Sequence, residues 1–171
     1  GRSVGWVEPA NYNSPGQIVI SGDILALERA EELCREQGAK RVIRLKVSGP
    51  FHSRLMEPAR SALECELEKV KFRKPHVPQV MNVNGKVSGS ESMIKESLAR
   101  QISSLILWED CVREMWELGA RVFVEAGPGR VLTGLIREIQ PQATTFALDG
   151  NTRVDDVVRS LEEVLSDEGE G

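Results

Sequence analysis

The stretch from Ala120 to Ile139, ARVFVEAGPGRVLTGLIREI, decides the fold class of this sequence. Its first part is a short apolar run typical of a buried strand, and the Gly-Pro-Gly at 127–129 predicts a tight turn. The apolar spacing from Arg130 onward predicts a short helix, and TTFALDG at 144–150 predicts a second strand. A strand, a helix and a strand in that order favour two parallel strands with the helix packed against them.

The rest of the chain also alternates between strand-like and helix-like patterns. Short alternating apolar runs predict strands, whereas apolar residues three and four apart predict helices. The turn-rich NSPG after the first strand predicts a hairpin, and Asp23 and Gly38 are expected to cap the first helix at its two ends. The predicted strands cover 5–12, 17–22, 41–48 and 79–83, and further helices are predicted after Ser53, at 91–102, at 108–118 and from Val154 onward. The sequence therefore predicts an α/β fold with a mainly parallel sheet flanked by helices.

The composition argues against two classes of partner. The 171 residues include 26 acidic and 22 basic side chains, which are mostly interleaved and give a net charge of −4. A basic face that follows a phosphate backbone is therefore not expected, which argues against nucleic-acid binding. No apolar run is long enough to cross a bilayer, so no membrane association is expected either.

The first residues and the cysteines indicate a cytoplasmic protein. The opening GRSVGWVEP lacks the apolar segment of a secretory signal, and its abrupt start without methionine suggests a fragment. Cys34, Cys65 and Cys111 lie far apart among helical apolar neighbours and form no CxxC pair. We therefore expect three buried thiols in a reducing compartment.

His52 is the principal candidate for chemistry. It is one of two histidines and lies within VSGPFHSRLMEPA, residues 47–59, on the loop between a predicted strand and a predicted helix. Two interpretations stay open from the residues alone: a catalytic base, or a loop histidine held by backbone hydrogen bonds. His76, in KPHVP, is expected to be an exposed loop residue, and neither histidine has a second ligand at metal-binding spacing.

A partner nucleophile for His52 is not evident in this sequence. The single Gly-x-Ser-x-Gly match is GRSVG at 1–5, where no strand precedes Ser3 and extended sequence follows it. A nucleophile elbow needs a strand before the serine and a helix after it, so Ser3 is not favoured. EAGPGRVLTG at 125–134 could cradle a phosphate at a helix N-terminus, but a tight strand-to-helix turn is the favoured interpretation.

Four segments, in order, resemble the malonyl-CoA:acyl carrier protein transacylase family. The histidine segment VSGPFHSRLMEPA is similar to the family's Val-Ser-x-Pro-x-His motif followed by Leu-Met and a proline-containing helix. The other three are VEPANYNSPGQIVISG, ARQISSLILWED and FVEAGPGRVLTGLIREI, which resemble the family's Asn-x-Asn-Ser-Pro-Gly-Gln, Arg-Gln…Trp and Glu-x-Gly-Pro-Gly segments. The resemblance covers the chain from about Val7 to Ile139.

The resemblance implies a fold and an activity. Residues 1–47 would be the rear part of an inserted ferredoxin-like small subdomain, and 48–171 the C-terminal part of a hydrolase-like parallel sheet. The family transfers a malonyl group from malonyl-CoA to the phosphopantetheine thiol of acyl carrier protein in fatty acid biosynthesis, through a serine ester and without another cofactor. Its Gly-His-Ser-x-Gly elbow and its carboxylate-binding arginine have no match here. The chain is therefore expected to carry the base without the nucleophile, and to be inactive alone.

The resemblance also implies roles for individual residues. His52 matches the general base, and the Gln101 backbone carbonyl matches the group that orients its ring. Asn11 and Asn13 match polar residues that line the substrate cleft, although asparagines in NYNSPG could equally stabilise the turn. Phe51 resembles the phenylalanine that precedes the histidine in malonyl-selective domains. Leu105 departs from the family, which commonly has proline near this position.

Two other functions stay open at this level. The chain could be a non-catalytic module that binds coenzyme A or a carrier protein and needs no serine. It could also belong to a polyketide-type acyltransferase domain with a different acyl substrate. Sequence upstream of this segment would separate an enzyme from a binding module, because only the enzyme needs the serine elbow.

Overall fold

Strands and helices alternate along the chain in a computed structural model that describes residues 5–150 and 154–167. The strands are β1 (Val7–Ser14), β2 (Gln17–Gly22), β3 (Gln79–Met81), β4 (Lys86–Ser88), β5 (Ile106–Leu107), β6 (Val122–Ala126) and β7 (Thr144–Leu148). The α-helices are α1 (Ile24–Glu36), α2 (Glu57–Leu67), α3 (Glu91–Arg100), α4 (Trp108–Glu117), α5 (Val131–Ile139) and α6 (Val154–Asp167). The α/β class predicted from the sequence is confirmed. The chain divides into two compact units between Glu114 and Met115, and the predicted subdomains 1–47 and 48–171 stay a prediction.

The sheets are mixed, so the expectation of a mainly parallel arrangement is only partly right. In the first unit β1 pairs with β2 antiparallel and with β5 parallel, and β3 and β4 form a separate antiparallel hairpin. In the second unit β6 and β7 pair in parallel with α5 between them in the sequence, as the opening stretch predicts. Short turns favour antiparallel neighbours, and NSPG and the turn before β4 supply them.

The hairpin of β1 and β2 places β1 beside β5. Gly16, at the tip, has φ of +83°, a left-handed conformation that glycine adopts without strain. The register shifts between Pro9 and Asn11. On the other edge of β1, Asn11 pairs with Ile106 in the parallel ladder with β5. The loop between α3 and β5 therefore ends at the middle of β1.

The predicted strand at 41–48 is wrong. Residues 41–47 have no regular structure, and Ile43, Leu45 and Val47 are 57%, 54% and 63% exposed. Alternation of apolar residues fixes which side chains share a face, but a strand also needs a neighbour for its N–H and C=O groups. Within the described part of the chain, no strand pairs with this segment.

The ends of α1 follow the prediction only in part. Gly38 has φ of +83° just beyond the helix, as expected. Asp23 occupies the N-cap position, but its side chain does not cap the helix; Oδ2 instead accepts a hydrogen bond from the Trp6 backbone N–H at 2.6 Å. This carboxylate therefore holds the start of β1 rather than the start of α1.

The cysteines do not share one environment. Cys111 is buried, and burial is the main cause that raises the pKa of its thiol to about 11, with the nearby Asp110 carboxylate adding to it. Cys34 is half-buried, whereas Cys65 is exposed, which corrects the expectation that all three are buried. The expectation for Cys65 rested on its apolar helical neighbours, but α2 has no fully buried residue. None of the described helices is long and apolar enough to span a membrane.

In the second unit Glu125 caps the N-terminus of α5. Its carboxylate accepts hydrogen bonds from the Leu132 N–H at 3.1 Å and from the Thr133 N–H and hydroxyl, both at 2.7 Å. These donors are the groups that an anion would use at a helix N-terminus. Because the protein's own carboxylate occupies them, the turn at 127–129 is a tight strand-to-helix turn and not a phosphate cradle. Burial raises the pKa of Glu125, but these hydrogen bonds outweigh it and lower the pKa.

We expect Glu125→Gln to destabilise the protein by about 1 kcal/mol, the usual cost of losing a helix cap. A lowered pKa means that the carboxylate contributes stability above its ordinary pKa of 4.5, and that this contribution is lost as the pH falls through the lower folded value. Urea unfolding at pH 7 and at acid pH checks this. The difference in stability between the unsubstituted protein and the Glu125→Gln variant should shrink at acid pH, and an undiminished difference would contradict the role of the charge.

Candidate active site

His52 lies on the loop that joins residues 41–50 to α2, in a conformation unusual for its type. Its φ is +61°, the one positive value among the described residues other than glycine. A side chain with a Cβ atom adopts this region at a cost of about 1–3 kcal/mol, and it persists when surrounding contacts fix it. Next to it Ser53 is fully buried and donates its hydroxyl to the Pro50 carbonyl at 2.6 Å. The loop is thus held in one shape.

Two consecutive carbonyls hold His52. Its backbone N–H donates to the Ile102 carbonyl at 3.0 Å, and its ring Nδ1 lies 2.6 Å from the Gln101 carbonyl oxygen. A carbonyl can only accept, so Nδ1 carries the proton and the neutral ring keeps a lone pair on Nε2. The predicted contact between His52 and the Gln101 carbonyl is present in the structure, while their catalytic roles stay predictions. Exposed His76 lies in a separate loop, as expected.

The turn after α3 is fastened on two sides. Gln101 is the C-terminal cap residue of α3, and its side-chain Oε1 accepts from Asn82 Nδ2 at 3.3 Å. Ser103, which is buried, donates its hydroxyl to Glu57 Oε1 at 2.9 Å at the start of α2. Sequence reasoning missed Asn82 and Glu57, although a polar residue within the apolar run QVMNV was a signal for Asn82.

Two contacts join the start of β1 to the loop that carries His52, called the histidine loop below. Glu8 Oε1 accepts the Arg54 backbone N–H at 2.6 Å, and the Arg54 guanidinium lies over the Trp6 ring at 3.4 Å from its centroid. A cation over an indole face is attracted by the ring quadrupole. No spacing in the sequence pointed to these pairs, because the residues are far apart in the chain.

The predicted substrate-binding residues lie in different settings. Asn13 Nδ2 donates to Gln17 Oε1 at 3.0 Å across the hairpin turn, a contact that suits the turn-stabilising interpretation. Asn11 is half-buried in the β1–β5 ladder. Its partner strand, β5, follows the turn after α3, residues 101–105, which is called the Gln101 turn below. Phe51 is 40% exposed beside His52, and its ring covers Gly49, on which a Cβ atom would lie 3.6 Å from Cζ. Ser3 lies outside the described residues.

Metal ligands do not cluster in the described part of the chain. Across residues 5–150 and 154–167, no group of three or more histidine, cysteine or acidic side chains is arranged to hold a metal ion. The site consists instead of one imidazole oriented by a carbonyl and supported by neutral and charge-assisted hydrogen bonds. Chemically, it can move a proton at Nε2.

The chain belongs to the acyl transferase domain family, whose sequence profile matches residues 2–157. It is similar to the malonyl CoA-acyl carrier protein transacylase of Bacillus subtilis (strain 168), with 40% identity over 157 residues. That alignment covers 92% of this chain and 50% of the relative, so the chain spans about half the length of the relative it matches.

Solved structures give the same relationship. The malonyl CoA-acyl carrier protein transacylase from Clostridium perfringens superposes with a TM-score of 0.87 and 37% identity, over 96% of this chain and 51% of that one. A malonyl-transacylase in complex with a type II PKS acyl-carrier protein superposes with a TM-score of 0.81 and 41% identity, over 85% of this chain and 47% of that one. The family resemblance carried by the four segments is confirmed.

Proposed function

We propose that the protein containing this chain transfers a malonyl group from malonyl-CoA to acyl carrier protein, with His52 as its general base. The observation that carries the proposal is the 2.6 Å contact between His52 Nδ1 and the Gln101 carbonyl, on a histidine whose backbone is held in the left-handed region. This contact places the ring proton on Nδ1, so the lone pair on Nε2 can accept a proton. The names of the relatives supply the substrate class.

In the proposed reaction Nε2 of His52 takes the proton of a serine hydroxyl as its oxygen attacks the malonyl thioester carbon. The carbon–sulfur bond then breaks, His52 returns the proton to the departing coenzyme A thiolate, and a malonyl ester remains on the serine. In the second half His52 takes the proton of the phosphopantetheine thiol as the sulfur attacks the malonyl ester carbon. The bond between that carbon and the serine oxygen breaks, and His52 returns the proton to the serine oxygen. The Gln101 carbonyl acts by fixing the ring tautomer without adding a second charge.

The finer parts of the proposal follow from the same resemblance. Residues 48–171 form part of a hydrolase-like main domain, and 1–47 belong to a ferredoxin-like small subdomain. Asn11 lines the substrate cleft with Asn13, and Phe51 favours malonyl over bulkier acyl groups. The reaction needs no resident cofactor, because acyl carrier protein brings its own phosphopantetheine. The free cysteines support a cytoplasmic location.

A polyketide pathway is the second candidate for the carrier-protein partner. The solved complex with a type II PKS acyl-carrier protein favours it, because that malonyl-transacylase is 41% identical to this chain. Initial rates of transfer to a fatty-acid and to a polyketide carrier protein would distinguish the two. Fatty acid synthesis is supported if the fatty-acid carrier has the higher kcat/KM. Failure to transfer to either carrier would favour the non-catalytic binding module.

We expect the 171-residue chain by itself to form no malonyl ester, because the only Gly-x-Ser-x-Gly match is the poorly placed Ser3. Incubation with radiolabelled malonyl-CoA, followed by denaturation and gel autoradiography, should leave the protein unlabelled. The full-length protein serves as the positive control. A stable malonyl adduct on Ser3 would overturn this expectation.

A further inference from the structure

Asn82 forms one hydrogen bond to Gln101, where the Gln101 turn starts, and one to Leu107 in β5, the strand that follows this turn. Its side-chain Nδ2 donates to Gln101 Oε1 at 3.3 Å, at the start of the turn. Its backbone carbonyl accepts the Leu107 N–H at 2.7 Å, where the turn runs into β5. Asn82 directly follows β3 in the β3–β4 hairpin, and its neighbours Met81 and Val83 pack in one apolar cluster with Ile94 of α3, so the position of Asn82 beside the end of α3 is fixed by the core.

The side-chain contact involves the same residue that orients the histidine. Gln101 offers its backbone carbonyl to His52 Nδ1 and its side-chain oxygen to Asn82 Nδ2. Holding the side chain limits rotation of the residue at the end of α3, where a helix frays most easily. The direction of the carbonyl, and with it the tautomer of His52, therefore depends in part on Asn82.

The amide of Asn82 is also costly to keep. Its Oδ1 is buried and has no hydrogen-bond partner among the described residues. A buried unpaired polar atom lowers stability, and one hydrogen bond at 3.3 Å offsets little of that cost. Such a residue is expected where function, and not stability, selects the side chain.

We propose that Asn82 is a positioning residue that fixes the Gln101 carbonyl, and through it the proton-accepting tautomer of His52. It does not touch the substrate. The inference rests on the proposed function, since it assigns Asn82 to the same site. Removal of the Asn82 side chain should therefore lower the rate without lowering stability.

The test replaces Asn82 by alanine in the full-length protein, which keeps the Asn82 backbone contact to Leu107. We expect kcat for malonyl transfer to fall about 10-fold, a smaller loss than removal of a general base would cause. KM and the melting temperature should change little. In two-bond ¹H–¹⁵N spectra at a pH where the ring is neutral, His52 should be the Nδ1–H tautomer in the unsubstituted protein. In Asn82→Ala it should become a mixture of the two tautomers.

Asn84→Ala is the matched control. Asn84 lies in the same hairpin turn and is exposed, and its side chain accepts the Lys86 N–H at 3.0 Å, so its loss should leave rate and tautomer unchanged. An unaltered tautomer in Asn82→Ala, or a rate loss matched by Asn84→Ala, overturns the inference. If the unsubstituted protein transfers no malonyl group, the proposed function fails, and the tautomer spectra alone still decide whether Asn82 positions the ring.

Discussion

Replacing His52 by alanine in the full-length protein should lower the rate of malonyl transfer about 10²–10⁴-fold, the usual cost of losing a general base. The ring that takes the serine proton is lost, while the carbonyls of Gln101 and Ile102 that hold it stay in place. Initial rates of transfer to acyl carrier protein measure the effect. Activity near that of the unsubstituted protein would reject His52 as the base.

The backbone conformation of His52 determines which second substitution is the right control for His52→Ala. Because its φ is +61°, an alanine there carries the conformational cost of a Cβ atom without the contacts that offset it. His52→Gly removes the same ring without that cost. The two variants should therefore lose activity equally, with His52→Ala melting at the lower temperature. A large difference in rate between them would mean that loop conformation, and not the imidazole, limits the reaction.

Gln101→Ala separates the carbonyl from the side chain. The substitution keeps the backbone carbonyl whose oxygen lies 2.6 Å from His52 Nδ1, and it removes the side-chain amide whose oxygen accepts from Asn82. We therefore expect a much smaller loss than in His52→Ala. An equally severe loss in a well-folded Gln101→Ala protein would show that the side chain holds the imidazole.

Local signals in the sequence predicted the elements that depend on nearby residues. The turn residues of NSPG and the Gly-Pro-Gly at 127–129 define the β1–β2 hairpin and the β6–α5–β7 unit because turn chemistry acts over a few residues. The strand predicted at 41–48 is absent because nearby residues alone do not form a strand. Its pattern is local, but a strand is completed by a partner elsewhere in the chain.

The candidate site divides in the same way. The loop position of His52 could be predicted from the break at Gly49 and from the helix whose first turn contains Pro58. Its partner at Gln101 came from a family resemblance, since nothing local links residues 49 positions apart. The supporting pairs of Asn82 with Gln101 and of Glu57 with Ser103 were not predicted. Both join side chains brought together by packing, which a single sequence does not encode in its periodicity.

Gly22→Ala should be the most destabilising conservative change in the first unit, at about 3 kcal/mol. Gly22 ends β2 opposite Val7. A Cβ atom there would lie 2.1 Å from the Trp6 carbonyl oxygen and 2.7 Å from Val7 Cα. Both are backbone atoms and cannot move aside as a flexible side chain can, so the start of the β1–β2 ladder must open. Urea unfolding measures the loss.

Gly16→Ala in the same hairpin separates steric conflict from conformational strain. Gly16 has φ of +83° with nothing within 4 Å of an added Cβ, whereas Gly22 lies outside the left-handed region and meets backbone at once. Alanine at Gly16 should therefore cost only about 1–2 kcal/mol, the energy of the left-handed conformation. A larger loss at Gly16 than at Gly22 would mean that conformation, and not contact with β1, makes Gly22 necessary. Because the displaced ladder begins beside Glu8, which accepts the Arg54 N–H, Gly22→Ala should also loosen the histidine loop, and Gly16→Ala should not.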